Sequence, residues 1–271
     1  MQNLDICSRR QNVIKPKINL ASARAAFWET PGEAEQEFAV PPIPRWKRIA
    51  DISLIILTLP LLIPVFIFLA LVIHLVSDGP ILFRQERIGR AGKKFMCLKF
   101  RTMFVGDHSA VHEEHLTQLM DSNAPMVKMD AVGDPRIIPF GKLLRSTGMD
   151  ELPQLINVLR GEMSLVGPRP CLPYEFEKYL PWQKERICAL PGITGLWQVS
   201  GKNKTTFEEM VRLDISYLKN ESLARHLAIL AKTGPVLIGQ AWESRKNRRS
   251  PLRQVQLKAM VLPANRAASQ D

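Results

Sequence analysis

The chain has 271 residues, 46% of them hydrophobic and 23% charged, which suits one compact domain with extensions. Its 37 Lys and Arg against 26 Asp and Glu leave a formal charge of +11, so the expected partners are anionic: phosphorylated substrates, acidic lipid or nucleic acid. Cys7, Cys97, Cys171 and Cys188 stand singly, without CxxC or metal-ligand spacing, which argues against a disulfide scaffold or zinc module and predicts free thiols.

Residues 1–44 read as a polar N-terminal extension. The first forty hold five basic and five acidic side chains and no basic-then-apolar signal sequence, so secretion is not expected. PPIPR at 41–45 is a stiff boundary. Residues 45–78 form the membrane segment, since 52–76, ISLIILTLPLLIPVFIFLALVIHLV, carry no formal charge and can cross a hydrocarbon core of about 30 Å as a helix. Pro60 and Pro64 each remove an intrahelical hydrogen bond and divide the stretch into arms of roughly 13 and 20 Å, neither of which spans alone. Both flanks are basic, with Arg45, Lys47 and Arg48 before and Arg84, Arg87, Arg90, Lys93 and Lys94 after. Because basic flanks favour the cytoplasmic side, a re-entrant helix fits better than a span, with Thr58 available to a carbonyl freed at the bend.

Residues 79–240 are expected to form the catalytic domain. ILFRQERI and KFMCLKFRTM look like two strands joined through GRAGK as a small β-hairpin. Residues 104–134 are polar and partly helical, and residues 139–160 contain helices. PGITGLWQVSG is a Gly-punctuated turn and strand, and 205–242 are helical again. The last of these helices has an apolar face with Arg225, Lys232 and Trp242, which suits either a membrane interface or the core. Residues 241–271 form a tail with seven basic and two acidic side chains. No GxxxxGK[ST] loop is present, which excludes a conventional P-loop enzyme.

GMDELPQLINVLRG at 148–161 places Asp150 and Glu151 side by side before an apolar helical repeat. As first-turn carboxylates they offset the helix dipole. As chemistry they suit one nucleophile and one metal ligand or proton handler, because a carboxylate can attack phosphorus to give an acyl phosphate. Cations set singly among apolar, Pro- and Gly-marked segments favour the second reading: Lys99 and Arg101 in KFRTM, Arg136 in DPR, Arg145, Arg169 in GPRP and Lys202 in SGKNK. Arg145 and Arg169 can grip phosphate with two parallel hydrogen bonds, whereas Lys99 and Lys202 act as point charges. Attack on a diphosphate also calls for charge neutralisation, which Mg²⁺ on the acidic pair would supply. His108, His112 and His115 follow a helix face but lack HExxH order, so a solvated helix is expected there rather than zinc.

KFRTM, DPR, LLRSTGMDELPQLINVLRGEMSLVGPRP and PGITGLWQVSG, in this order after a proline-broken apolar segment, resemble the bacterial sugar transferases, the monotopic phosphoglycosyl transferases, over roughly residues 45–240. The short form is most similar to the exopolysaccharide-initiating galactosyl-phosphate transferases. The resemblance implies a ping-pong reaction in which an Asp attacks a UDP-sugar, UMP leaves, and the phosphosugar passes to undecaprenyl phosphate. The matching residues are Asp150 as nucleophile and Glu151 as its partner, with Mg²⁺ as cofactor, both acidic residues serving the metal. Arg145 and Arg169 match active-site positions and Lys99 the basic strand position. Lys202 stands where the family usually has Arg, and Leu59-Pro60 where the re-entrant bend usually has Ser-Pro.

The expected fold is therefore an α/β-associated-α membrane protein: a re-entrant N-terminal helix bent at Pro60 and Pro64, a small β-hairpin, and a helical catalytic core with interfacial amphipathic helices. It would sit on the cytoplasmic face of the inner membrane, with the bilayer, a UDP-sugar and undecaprenyl phosphate as partners, no nucleic acid, and a homodimer left open. Two rivals are a membrane-tethered basic scaffold for nucleic acid or anionic lipid and a metal hydrolase built on the His108 cluster. The sugar is not legible.

Overall fold

The computed structural model describes residues 40–104, 109–122, 125–126, 136–201 and 204–247. Helix α1, Arg45–Val76, is 32 residues long and thus roughly 48 Å at 1.5 Å per residue. It is apolar around its circumference, and only 11% of its most apolar window is buried. Ile56, Leu57, Leu61, Ile67, Phe68, Leu71 and Leu75 are exposed. A helix that exposes this much apolar surface needs a bilayer or another apolar phase around it.

Pro60 and Pro64 lie inside this one helix rather than between two separate helices. Thr58 Oγ1 donates to Leu54 O at 2.8 Å and contacts Ile55 O at 3.1 Å. Its hydroxyl therefore bonds back along its own turn and does not serve the carbonyls that the prolines leave free.

Both ends of α1 are tied to the rest of the protein. Near its start, Lys47, Asp51 and Ile55 are buried, and near its end Leu69 and Ile73 are. Lys47 Nζ donates to Val166 O and Tyr217 OH, each at 2.9 Å, and to Glu221 Oε1. Arg48 Nη1 donates to Val158 O at 2.7 Å. Asp51 Oδ1 accepts from Leu165 N at 3.1 Å and lies 3.3 Å from His226 Nε2. At the other end, the buried Arg101 donates to Ser77 O at 2.5 Å and to Asp78 O, occupying carbonyls just past the helix terminus.

The hairpin is present as expected. β1, Leu82–Ile88, pairs antiparallel with β2, Lys94–Phe100, from Leu82 opposite Phe100 to Ile88 opposite Lys94. Its connection turns through positive φ at Ala91 and Gly92. A second sheet was not foreseen: β3, Ser164–Val166, pairs in parallel with β4, Gly192–Thr194. The two backbones approach so closely that a Cβ on Gly192 would lie 2.0 Å from Gly167 N. This contact joins the GPRP and PGITG segments.

Among the described residues the remaining α-helices are α2 (Ser109–Ser122), α3 (Gly141–Thr147), α4 (Gln154–Arg160), α5 (Pro173–Glu177), α6 (Leu196–Val199), α7 (Phe207–Lys219) and α8 (Leu223–Asn247). α7 starts with a reciprocal cap, Glu209 N donating to Thr206 Oγ1 and Thr206 N to Glu209 Oε2. It buries Phe207, Met210, Val211 and Ile215 in the main core with Ile88, Tyr179 and Trp197. α1 enters two other clusters: Ile55 packs with Phe95, Val158 and Met163, while Leu69 and Ile73 pack with Phe100, Ile138 and Leu144. Cys97 and Cys171 are free and buried, as expected, and Cys7 lies outside the described residues.

Candidate active site

The acidic pair sits between two helices rather than inside one. α3 ends at Gly148, whose φ of 72° is a left-handed conformation suited to glycine and whose N–H donates to Leu144 O. Met149–Glu151 then form one 3-10 turn, and α4 begins only at Gln154. The residue preceding α4 is Pro153, and no side chain caps the helix. Asp150 and Glu151 therefore do not act as its hydrogen-bonding caps.

Asp150 is 9% exposed, whereas about a third of the Glu151 side chain is open. Lys99 Nζ, reaching from β2, donates to Glu151 Oε1 at 3.1 Å. Arg145 Nη1 contacts Thr102 Oγ1 at 3.3 Å. Arg145, Asp150, Glu151 and the backbone at Gly148 border a pocket with about 590 Å³ of space, counting the part open to solvent. Ile193, Thr194, Gln198 and Val199 supply another part of the lining, and Thr233, Val236, Leu237 and Gln240 of α8 complete it. Gly148 makes this approach close, since a Cβ there would lie 3.3 Å from Leu237 Cδ2.

Two of the other expected phosphate-binding residues have different surroundings. Arg101 is committed to the carbonyls after α1. Arg169 lies 3.9 Å from the buried Glu175 carboxylate and lines a second, smaller pocket with Gly89, Cys171 and Arg186. Lys202 lies outside the described residues, as do His108 and the side chains of His112 and His115. The structure thus brings Lys99, Arg145, Asp150 and Glu151 together, and seats Arg101 and Arg169 elsewhere.

Thr194, Gln198, Thr233 and Gln240 went unassigned in the sequence. Thr194 and Gln198 fall inside PGITGLWQVSG, but no spacing rule gave them a role. Thr233 and Gln240 were hidden in a helix read for its apolar side. That helix carries both faces: its pocket residues recur at helical spacing from Thr233 to Gln240, while Leu223, Leu227, Ile238 and Trp242 are exposed.

Burial sets the nearby titrations. It pushes the Cys171 thiol up to about 11 and raises that of Cys97, so both stay protonated and unreactive near neutral pH. Burial also pushes the Asp214 carboxyl up to about 6, against the opposing pull of Arg186, whose guanidinium donates to Asp214 Oδ2. Among the described residues no three His, Cys, Asp or Glu side chains gather as a metal cage. The two adjacent carboxylates do fit Mg²⁺, a hard cation that takes one or two carboxylates and fills its other positions with water and phosphate oxygens.

Fold and site together define a protein with an acidic pair and nearby cations in a pocket beside a bilayer-length apolar helix. Residues 44–240 match the bacterial sugar transferase family, and the chain belongs to that family. It is 40% identical to an undecaprenyl-phosphate galactose phosphotransferase of Salmonella typhimurium over 198 residues, covering 71% of this chain but only 40% of the relative. It is 36% identical to the exopolysaccharide production protein ExoY of Rhizobium meliloti over 204 residues, covering 75% of this chain and 90% of the relative. It is 39% identical to a UDP-glucose:undecaprenyl-phosphate glucose-1-phosphate transferase of Caulobacter vibrioides over 210 residues, 73% of each.

Proposed function

We propose that the protein transfers a sugar 1-phosphate from a UDP-sugar to undecaprenyl phosphate, initiating exopolysaccharide or related glycoconjugate synthesis. The observation that carries this reading is Asp150, largely buried beside Glu151 and Arg145 in one pocket, with Lys99 bonded to Glu151.

In the first step an Asp150 carboxylate oxygen attacks the β-phosphorus of the donor. A carboxyl–phosphorus bond forms, the bond from that phosphorus to the bridging oxygen breaks, and UMP departs with the oxygen. In the second step a phosphate oxygen of undecaprenyl phosphate attacks the same phosphorus, and the Asp150 carboxylate is released. Both nucleophiles are oxyanions, so neither step requires a net proton transfer. Arg145 is placed to offset charge that develops on the phosphoryl oxygens, and Lys99 orients Glu151. Asp150 and Glu151 would hold Mg²⁺, which neutralises diphosphate charge when bound. Arg169, which borders the smaller pocket, and Lys202 are also proposed to bind phosphate.

The location has a physical reason: one substrate is a soluble nucleotide and the other a lipid phosphate held at the headgroup plane. We read α1 as re-entrant from the cytoplasmic face of the inner membrane. Support comes from its two ends, since Lys47 with Asp51 and Leu69 with Ile73 pack against the same domain. A helix that crossed to the far side would carry one end away from that domain. The exposed apolar residues of α8 support a second contact with the interface. A membrane-tethered basic scaffold gives this pocket no task.

The test uses UDP-sugar labelled in the β-phosphate, without lipid acceptor. Label is expected to become covalently attached to the protein, to be lost in Asp150→Asn, and to chase into lipid when undecaprenyl phosphate is added. Absence of Asp150-dependent labelling would falsify the covalent route.

A further inference from the structure

The pocket has a second lining whose chemistry the two phosphoryl-transfer steps leave unused. Thr194, Gln198, Thr233 and Gln240 border it, and all four are uncharged hydrogen-bonding residues. Thr233 Oγ1 donates to Ile229 O at 2.8 Å, which commits its only proton. In the 2.9 Å contact between the two threonine hydroxyls Thr194 is therefore the donor, and its own oxygen keeps only acceptor capacity. Gln198 Oε1 is buried and accepts no hydrogen bond from the protein, while its Nε2 faces Ile193 O at 3.5 Å. The amide lies against Gly195, where a Cβ would come within 2.6 Å of Oε1 and 2.3 Å of Gly167 O. The backbone approach of the GPRP and PGITG segments thus makes room for this side chain.

A buried acceptor without a donor is unfavourable until a ligand supplies one. Here Thr194 and Gln198 line the pocket that holds Asp150, so the matching ligand is one whose hydroxyls donate close to a phosphate. We infer that Thr194, Gln198 and Gln240 form the sugar-reading side of the donor site, an inference that rests on the function proposed above. Gln240 supplies a second amide from α8, able to donate as well as accept. Sugars that differ in the direction of one hydroxyl would then be told apart by which of these groups is left unpaired. The nucleotide end of the donor, with its ribose hydroxyls and uracil N–H, offers similar chemistry, and the test separates the two ends.

The full chain in lipid nanodiscs is assayed with UDP-galactose, UDP-glucose and UDP-N-acetylglucosamine as donors and undecaprenyl phosphate as acceptor. Gln198→Met and Gln240→Met keep length and remove hydrogen bonding, and the second keeps the test open should the first fail to fold. Each variant is expected to change the ratio of kcat/KM between two of the donors by roughly threefold or more. Inhibition by UMP should stay as in the unaltered protein. Unchanged ratios in folded variants overturn the inference and leave the proposed function standing. An equal loss for every donor, matched by weaker UMP inhibition, assigns these residues to the nucleotide and also overturns it. If the unaltered protein transfers phosphosugar from no donor, the proposed function fails and takes the inference with it.

Discussion

Replacing Lys47 by Met should loosen the junction between α1 and the rest of the protein. Lys47 is 1% exposed, and its ammonium meets three acceptors drawn from β3, α7 and the segment after α7: Val166 O, Tyr217 OH and Glu221 Oε1. Methionine nearly matches the volume, so the loss is electrostatic rather than a cavity. Removing one member of a buried ion pair costs about 3–5 kcal/mol, because the other charge stays behind without compensation. Glu221 is not sealed, its side chain being 14% exposed, so water can reach part of it. The lower end of that range, about 3 kcal/mol, is the working figure. For a domain of this size that corresponds to a fall in Tm of about 6–12 °C. Thermal unfolding in nanodiscs, followed by tryptophan fluorescence, measures it. The double variant Lys47→Met with Glu221→Gln removes the stranded charge and should recover more than half of the loss. A single variant within about 1 kcal/mol of the parent, or a double variant as unstable as the sum of both singles, would refute the ion-pair account.

Gly192→Ala would drive a Cβ to 2.0 Å from Gly167 N and 2.4 Å from Thr194 O, both backbone atoms, so the β3–β4 pair must separate. Loss of cooperative unfolding or of transfer activity is expected, whereas Gly234→Ala, with nothing within 4 Å, should be tolerated. Lys99→Met deprives Glu151 of its 3.1 Å partner and should lower transfer roughly 10–100-fold, with partial return in Lys99→Arg; steady-state kinetics decide it. Asp214 titrates at about 6 in the folded protein, above its ordinary value of 3.8, so the folded state binds the proton more tightly. Its stabilising contribution is full below the lower value and is lost as pH rises through about 6. The stability of the parent relative to Asp214→Asn should accordingly decline between those two values in denaturant melts, and a flat difference would count against the burial argument.

What could be read from the sequence was whatever depends on local pattern. An uncharged run of 25 residues, 52–76, requires an apolar environment wherever it folds, and GRAGK between two apolar strands can close only a short hairpin. Asp150, Glu151, Arg145 and Lys99 were nominated because charges set singly among apolar and turn residues are costly unless they have a task. Charge and spacing do not reveal direction, however. Arg101 and Lys99 are two residues apart in KFRTM, yet one reaches Glu151 while the other turns to the carbonyls after α1. Arg145 and Arg169 looked equivalent, but only Arg145 borders the acidic pair's pocket. The neutral lining formed by Thr194, Gln198, Thr233 and Gln240 comes from segments that meet only after β3 pairs with β4 and α8 folds back over α3. The basic flank before the apolar run likewise lost two of its charges to the fold, Lys47 to a buried network and Arg48 to Val158 O. The one-dimensional pattern determined that this chain carries an apolar run of bilayer length and an acidic pair with several candidate cations. Only the tertiary structure decided which cations reach that pair, because side-chain direction depends on long-range packing that no local window contains.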